Sequence, residues 1–243
     1  MSRTVSAIIP AHNEAARIPS VLKAVVGHPD LSEIIVVDDG SRDATSEVVR
    51  GYPVTLITLP KNEGKSRALA RGIETAKGEL LLFLDADLSG LTTEDVSALL
   101  APVIRGEATV SMSLRFNGRG FWRAIGINAI LRRVRIDYLT GERVIPRAML
   151  LPHLEEIKRL SGFSIEVYLN SLFIREKPRI AIVPWSHVTN PGKGSKHGAL
   201  KGLKSNVKML LHIRSHSGTF GSMSQMRELA KLAYLAEPPK THS

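Results

Sequence analysis

The sequence predicts an α/β fold, a mostly parallel sheet with helices on both faces, and three observations predict it. Apolar runs without polar alternation recur along the first half, as in VSAII, EIIVV and LLLFL. Helix-period segments separate them. Polar and acidic clusters stand at the ends of three of these runs. Strands that are apolar at every position are buried on both faces, the habit of parallel sheets rather than of half-solvated antiparallel ones. With 43% hydrophobic and 23% charged residues the chain can bury a core, which argues against disorder, collagen and coiled coil. Its 243 residues suit one large domain or two fused halves.

Taken in order, Val5–Ile9 reads as a buried strand closed by Pro10, and Pro19–Val26 as a helix with proline in its first turn. Glu33–Val37 is a second buried strand, Asp43–Arg50 a short helix, Val54–Leu59 a strand and Gly64–Ala76 a helix. Leu80–Leu84 is the next strand; Thr92 or Thr93 caps a helix to Ile104, and Thr109–Phe116 is strand-like. Beyond it the pattern turns helical and basic. Phe121, Trp122, Ile125, Ile130, Leu131 and Val134 approximate an apolar face among arginines. Ser164–Glu176 reads as a helix and Ile180–Val183 as a strand running into Pro184. A loop rich in Gly, Lys and Ser spans Asn190–Gly198, a second basic amphipathic segment lies near 203–214, and Gly221–Glu237 reads as a last helix.

The chain has no cysteine, which excludes disulfide frameworks, thiol nucleophiles and zinc fingers. The longest uncharged stretch, Ile180–Gly192, is short and broken by two prolines, so no segment reads as membrane-spanning. The N-terminus MSRTVSAIIPAHNE lacks the apolar region of a signal peptide, and the reading is a soluble or surface-bound protein made in the cytoplasm. Charge is lopsided. Residues 1–110 hold 11 Lys and Arg against 15 Asp and Glu, whereas residues 111–243 hold 22 against 8. The second half therefore expects an anionic partner: nucleic acid, a phosphorylated substrate or a negatively charged membrane.

In open parallel sheets ligands bind beyond the carboxyl ends of the strands. Here those ends carry Pro10–Glu14, Val37–Ser41 and Asp85–Asp87. Asp85 and Asp87 are two residues apart and start on one side of the chain, a costly pair unless solvated or shared by a cation. Such oxygen donors suit Mg²⁺ or Mn²⁺, although alone the pair reads equally as turn or capping aspartates. Asp38-Asp39-Gly40-Ser41 reads alike as a turn or as a nucleoside-binding strand end. Lys65, at a helix start, can meet a phosphate or be a solvated lysine; LPKNEGKS is no Walker A loop. Hydrolase triads, HExxH and GxGxxG are absent.

Together IIPAHNE, VVDDGSRDAT, NEGKSRALARG and LLFLDADL, in this order, resemble the nucleotide-sugar half of the family 2 glycosyltransferases, with DADL as their DxD motif. The resemblance implies the GT-A fold, a Rossmann-like mostly parallel sheet with helices on both faces, here with basic amphipathic helices in the C-terminal half. SLRFNGRG, DYLTGERVIPR and VPWSHVTNPGKGSKHG further resemble the polyprenyl-phosphate glycosyltransferases, dolichyl-phosphate mannose synthases in particular. By this resemblance residues 1–116 form the nucleotide-sugar half, 117–200 the acceptor half and 201–243 basic C-terminal helices. Pro10, His12, Glu14, Val37 and Asp39 would contact the nucleoside, and Asp85, Ala86 and Asp87 the diphosphate and its metal. Arg115, Thr140, Arg143, Ser195 and Lys196 would serve the phosphates of donor and acceptor. The chain departs from the pattern at Ser89, where relatives often carry Gln or an acid, at His12, often aromatic, and at Asn190, where they carry Arg.

The implied activity is a metal-dependent (Mg²⁺ or Mn²⁺), inverting transfer of a hexose from GDP-mannose or UDP-glucose to a polyprenyl phosphate. Asp87, Arg115, Arg143 and Lys196 would be the catalytic set, with Lys65 on the donor. An acceptor phosphate is already ionised and needs cations to hold it rather than a general base. The basic segments then read as helices on an anionic membrane surface, on its cytoplasmic face, or alternatively as core. A soluble transferase with a small acceptor such as phosphoglycerate accounts for the same charge. Nucleic acid is not expected, since only 5% of residues are aromatic and no binding motif occurs.

Overall fold

The computed structural model describes residues 3–115, 139–160, 164–190 and 219–236. The basic segments near 121–134 and 203–214, and with them Ser195 and Lys196, lie outside the described residues. The chain builds β1 (Val5–Ala11), α1 (Ile18–Val25), β2 (Glu33–Asp38), α2 (Thr45–Arg50), β3 (Thr55–Thr58), α3 (Lys65–Thr75), β4 (Leu80–Phe83), α4 (Thr93–Ile104) and β5 (Val110–Arg115). After these come β6 (Arg143–Pro146), α5 (Arg147–Leu150), a 3₁₀ turn (Leu151–His153), α6 (Leu154–Arg159), α7 (Ser164–Glu176), β7 (Ile180–Trp185), α8 (Thr219–Leu232) and β8 (Ala233–Leu235).

These strands form one eight-stranded sheet in the order β3-β2-β1-β4-β6-β5-β7-β8. All pairings are parallel except those of β6, which runs antiparallel between β4 and β5. From β1 the chain first moves outward to β2 and β3, then returns to place β4 on the other side of β1. That reversal opens a crevice at the carboxyl ends of β1 and β4, where ligands bind in such sheets. Helices cover both faces. Val21, Leu22, Val49, Val96 and Leu99 from α1, α2 and α4 close one core, and Ala68, Ile73, Ile157, Phe173 and Leu229 from α3, α6, α7 and α8 close the other. The all-apolar strands are thus buried on both sides, as their composition requires.

Close packing fixes the register of α3. Gly72 lies so tight on β1 that a Cβ there would run into the buried Ile8 side chain. The start of α4 is a capping box, in which Thr92 accepts from Asp95 N while the Asp95 carboxylate takes the Thr92 amide. Three expectations are corrected. β6 and α6 lie in a stretch with no predicted element. The last helix stops at Leu232, and Ala233–Leu235 pairs with β7 instead. β7 runs through Pro184, which is tolerated because β8 pairs with β7 only as far as Ile182.

Candidate active site

All three predicted clusters meet at one edge of the sheet. At the ends of β1 and β2 they are laced together: His12 Nδ1 lies 2.8 Å from Asp39 O, Asn13 N donates to Ser41 Oγ at 2.9 Å, and Glu14 N to Thr45 Oγ1 at 2.9 Å. Gly40, at φ 63°, lets the 61–62 backbone pack where a Cβ would collide with it. That approach carries the 63–64 amides to Asp39, whose two oxygens accept from Glu63 N at 2.7 Å and Gly64 N at 2.8 Å. Beside this lacing lies a cavity of about 720 Å³ lined by His12, Asn13, Asp38, Arg42, Lys61 and Asn62. It is large enough for a nucleoside.

The β4 end carries Asp85 and Asp87, with Ala86 buried between them. Lys65, at the start of α3, places Nζ 2.6 Å from Asp85 Oδ1 and 2.8 Å from Glu166 Oε1 on α7. Burial opposes the ammonium charge, but the two carboxylates override it and hold the lysine pKa above its ordinary value. Gly141 gives this pair room: a Cβ there would sit 2.7 Å from both Asp85 Oδ1 and Lys65 Nζ. On the other flank Asp87 Oδ1 accepts from Asn190 Nδ2 at 3.1 Å, and Asn190 Oδ1 accepts from Arg115. The Arg115 guanidinium also stands 3.4 Å from Glu142, a wholly buried carboxylate that accepts from Ser113 at 2.8 Å and Thr140 at 2.6 Å. Two buried acids, Glu166 and Glu142, therefore brace the cations on either side of the aspartate pair. Glu166 was not singled out from sequence.

Three of the residues expected to contact substrate are buried. Arg143 is fully buried, its guanidinium donating to Thr140 O and Asn170 Oδ1, both at 2.9 Å, and lying 5.6 Å over the Phe173 ring. It anchors the turn before β6 to α7. Thr140 is likewise buried, its hydroxyl spent on Glu142 and Ser113. Val37 sits in the core with Ile8 and Leu59, so its side chain is closed to a nucleoside. Pro10 and Glu14 do stand at the β1 end, with Glu14 Oε2 2.6 Å from Arg17.

The model of Glycosyl transferase family 2 matches residues 6–151, the span that holds all three strand-end clusters and β6. The chain belongs to this family. Over 130 residues this family 2 chain is 35% identical to the undecaprenyl-phosphate 4-deoxy-4-formamido-L-arabinose transferase of Aeromonas hydrophila, a match covering 49% of this chain and 39% of the relative. It is 40% identical over 102 residues to the dolichyl-phosphate beta-glucosyltransferase of Drosophila melanogaster, covering 35% and 31%. The matched stretch thus spans well under half the length of these curated relatives. Among solved structures, glucosyl-3-phosphoglycerate synthase of Mycobacterium tuberculosis, in complex with Mn²⁺, UDP and glucosyl-3-phosphoglycerate, superposes with a TM-score of 0.68. That match has 25% identity and covers 93% of this chain and 80% of that one. The family 2 chain accordingly has the GT-A fold, with the DxD carboxylates at the end of β4.

Proposed function

We propose that this chain is an inverting glycosyltransferase that moves a hexose from a nucleoside-diphosphate sugar, GDP-mannose or UDP-glucose, to a polyprenyl phosphate. The carrying observation is the aspartate pair at the β4 end, set between Lys65 on one flank and Arg115 on the other. The polyprenyl-phosphate transferases among the relatives support the lipid acceptor over a small one.

A divalent cation fits this donor set. Among the described residues no group of three or more metal-holding side chains occurs, and the β4 end offers two carboxylates. That is the arrangement Mg²⁺ or Mn²⁺ takes when waters and substrate phosphates complete the shell. Asp87 and Asp85 would hold it, with Asp85 already sharing one oxygen with Lys65. A cation held there would supply Lewis-acid neutralisation of charge on the leaving diphosphate.

The chain's own groups do the rest. The cavity beside His12 and Asp38 takes the nucleoside, and Lys65 holds Asp85 oriented. Arg115 presents a guanidinium suited to bidentate phosphate binding. An oxygen of the acceptor phosphate forms the new bond to the anomeric carbon as the bond from that carbon to the β-phosphate oxygen breaks. The diphosphate leaves with the electron pair and no proton has to move. One displacement inverts the anomeric centre. Ser195 and Lys196 belong to the proposed acceptor loop, and the basic segments to an anionic membrane surface on its cytoplasmic side.

The test is transfer of labelled sugar into an organic-extractable product with a short polyprenyl phosphate as acceptor. Asp87→Asn should lower kcat/KM by about 100-fold or more, the scale of losing one preorganised electrostatic partner of the leaving group. Turnover undiminished in that variant overturns the proposal. Transfer to 3-phosphoglycerate but not to lipid replaces the acceptor while leaving the donor site intact.

A further inference from the structure

We infer that Asn190 is a positioning residue: its amide orients Asp87 for a cation and ties it to Arg115. The inference rests on reading Asp87 as a metal ligand.

Asn190 does not sit on a loose tail. The backbone just before it is stapled to the segment after the aspartates, with Ser89 N donating to Thr189 O at 2.8 Å and Thr189 N to Ser89 O at 3.0 Å. One step further back, His187 Nε2 lies 3.0 Å from the Asp95 carboxylate that caps α4. Gly90, at φ 79°, is close enough that a Cβ would stand 3.2 Å from His187 O. The segment following β7 is thus locked to the segment following β4, and Asn190 is delivered between Asp87 and Arg115.

Its partners force the orientation of its amide. Nδ2 donates to Asp87 and Oδ1 accepts from Arg115. A flipped amide would set oxygen against carboxylate and nitrogen against guanidinium, repulsive on both sides. Only a group that donates at one end and accepts at the other satisfies both neighbours. An apolar side chain would leave the carboxylate without this orienting donor and cut the link to Arg115. The amide joins the donor side of the cleft to the cation proposed for the acceptor without changing the charge of either.

The experiment titrates Mn²⁺ into the full chain in the presence of UDP and, separately, GDP, by calorimetry, for wild type, Asn190→Ala, Asn190→Gln and Asn190→Leu. Losing a side chain that orients a ligand costs about 10-fold or more in metal affinity. Asn190→Ala and Asn190→Leu should both show that loss, and Asn190→Gln, which keeps both ends of the amide, a smaller one. A role in filling space alone would spare the leucine variant, which has nearly the size of asparagine, and the contrast between Leu and Gln carries the test if the alanine variant fails to fold. Wild-type affinity in all three variants overturns the inference and leaves the proposed function standing. Failure of the wild-type chain to bind Mn²⁺ with either nucleotide overturns both.

Discussion

Arg143 shows how a basic residue inside a substrate-binding motif can belong to the core. Taking a guanidinium out of water costs several kcal/mol, and here Thr140 O takes the Nε donor, Asn170 Oδ1 takes one from Nη1, and the Phe173 face lies 5.6 Å from the guanidinium carbon. Truncation would orphan those acceptors and open a void, so Arg143→Ala should lower the unfolding free energy by about 3 kcal/mol, read as a lower denaturant midpoint at constant m-value. A variant of unchanged stability that had lost only transfer would return Arg143 to the substrate. The same scale explains which site residues were legible. Asp85, Asp87, Lys65 and Arg115 stand in short motifs whose chemistry shows locally. Glu166 and Asn190 acquire their roles from partners 101 and 103 positions away, Lys65 and Asp87, and no local spacing reveals such pairings.

At the scale of elements, the sequence shows the strands that carry unbroken apolar runs and the helices with clear caps. The capping box at Thr92 was readable because its partner is three residues on. β6 was not, because four residues of RVIP carry no period, and a strand added antiparallel between β4 and β5 is specified by its neighbours. The α6 helix is equally short and depends on docking against α3. That docking includes Lys158 Nζ at 2.6 Å from Glu74 on α3 and 2.6 Å from Glu155 on its own helix. Hydrogen bonding from Lys158 holds the Glu74 carboxyl below the ordinary glutamate value, against a smaller opposing push from burial and with help from Arg71. A carboxylate whose folded pKa is depressed contributes stability above its unfolded pKa of about 4.3 and loses it as pH falls through the folded value. Glu74→Gln should therefore flatten the acid limb of a plot of melting temperature against pH while leaving the plot unchanged in shape above pH of about 6. An acid limb as steep as wild type would mean that this bridge does not form in solution.

At the scale of the whole molecule, the reversal of strand order at β1 and β4 gathers three strand-end clusters into one cleft, and the charge asymmetry bears on what meets it. Residues 111–243 carry 22 Lys and Arg against 8 Asp and Glu, more than a single phosphate-binding site needs. No helix among the described residues is long and apolar enough to cross a membrane, and the basic excess offers surface attraction as a route to a lipid acceptor. Basic residues near an anionic surface each gain about 1 kcal/mol, and that gain falls as salt shortens the Debye length from about 10 Å at 0.1 M. The chain should therefore sediment with vesicles containing phosphatidylglycerol, ignore vesicles of phosphatidylcholine alone, and detach progressively between about 0.1 and 0.5 M salt. Binding that survives high salt would instead mean apolar insertion, for which Phe121 and Trp122 are the candidate side chains. Lipid-linked transfer without any vesicle binding would confine the excess charge to the cleft, where it could act only on the phosphates of donor and acceptor.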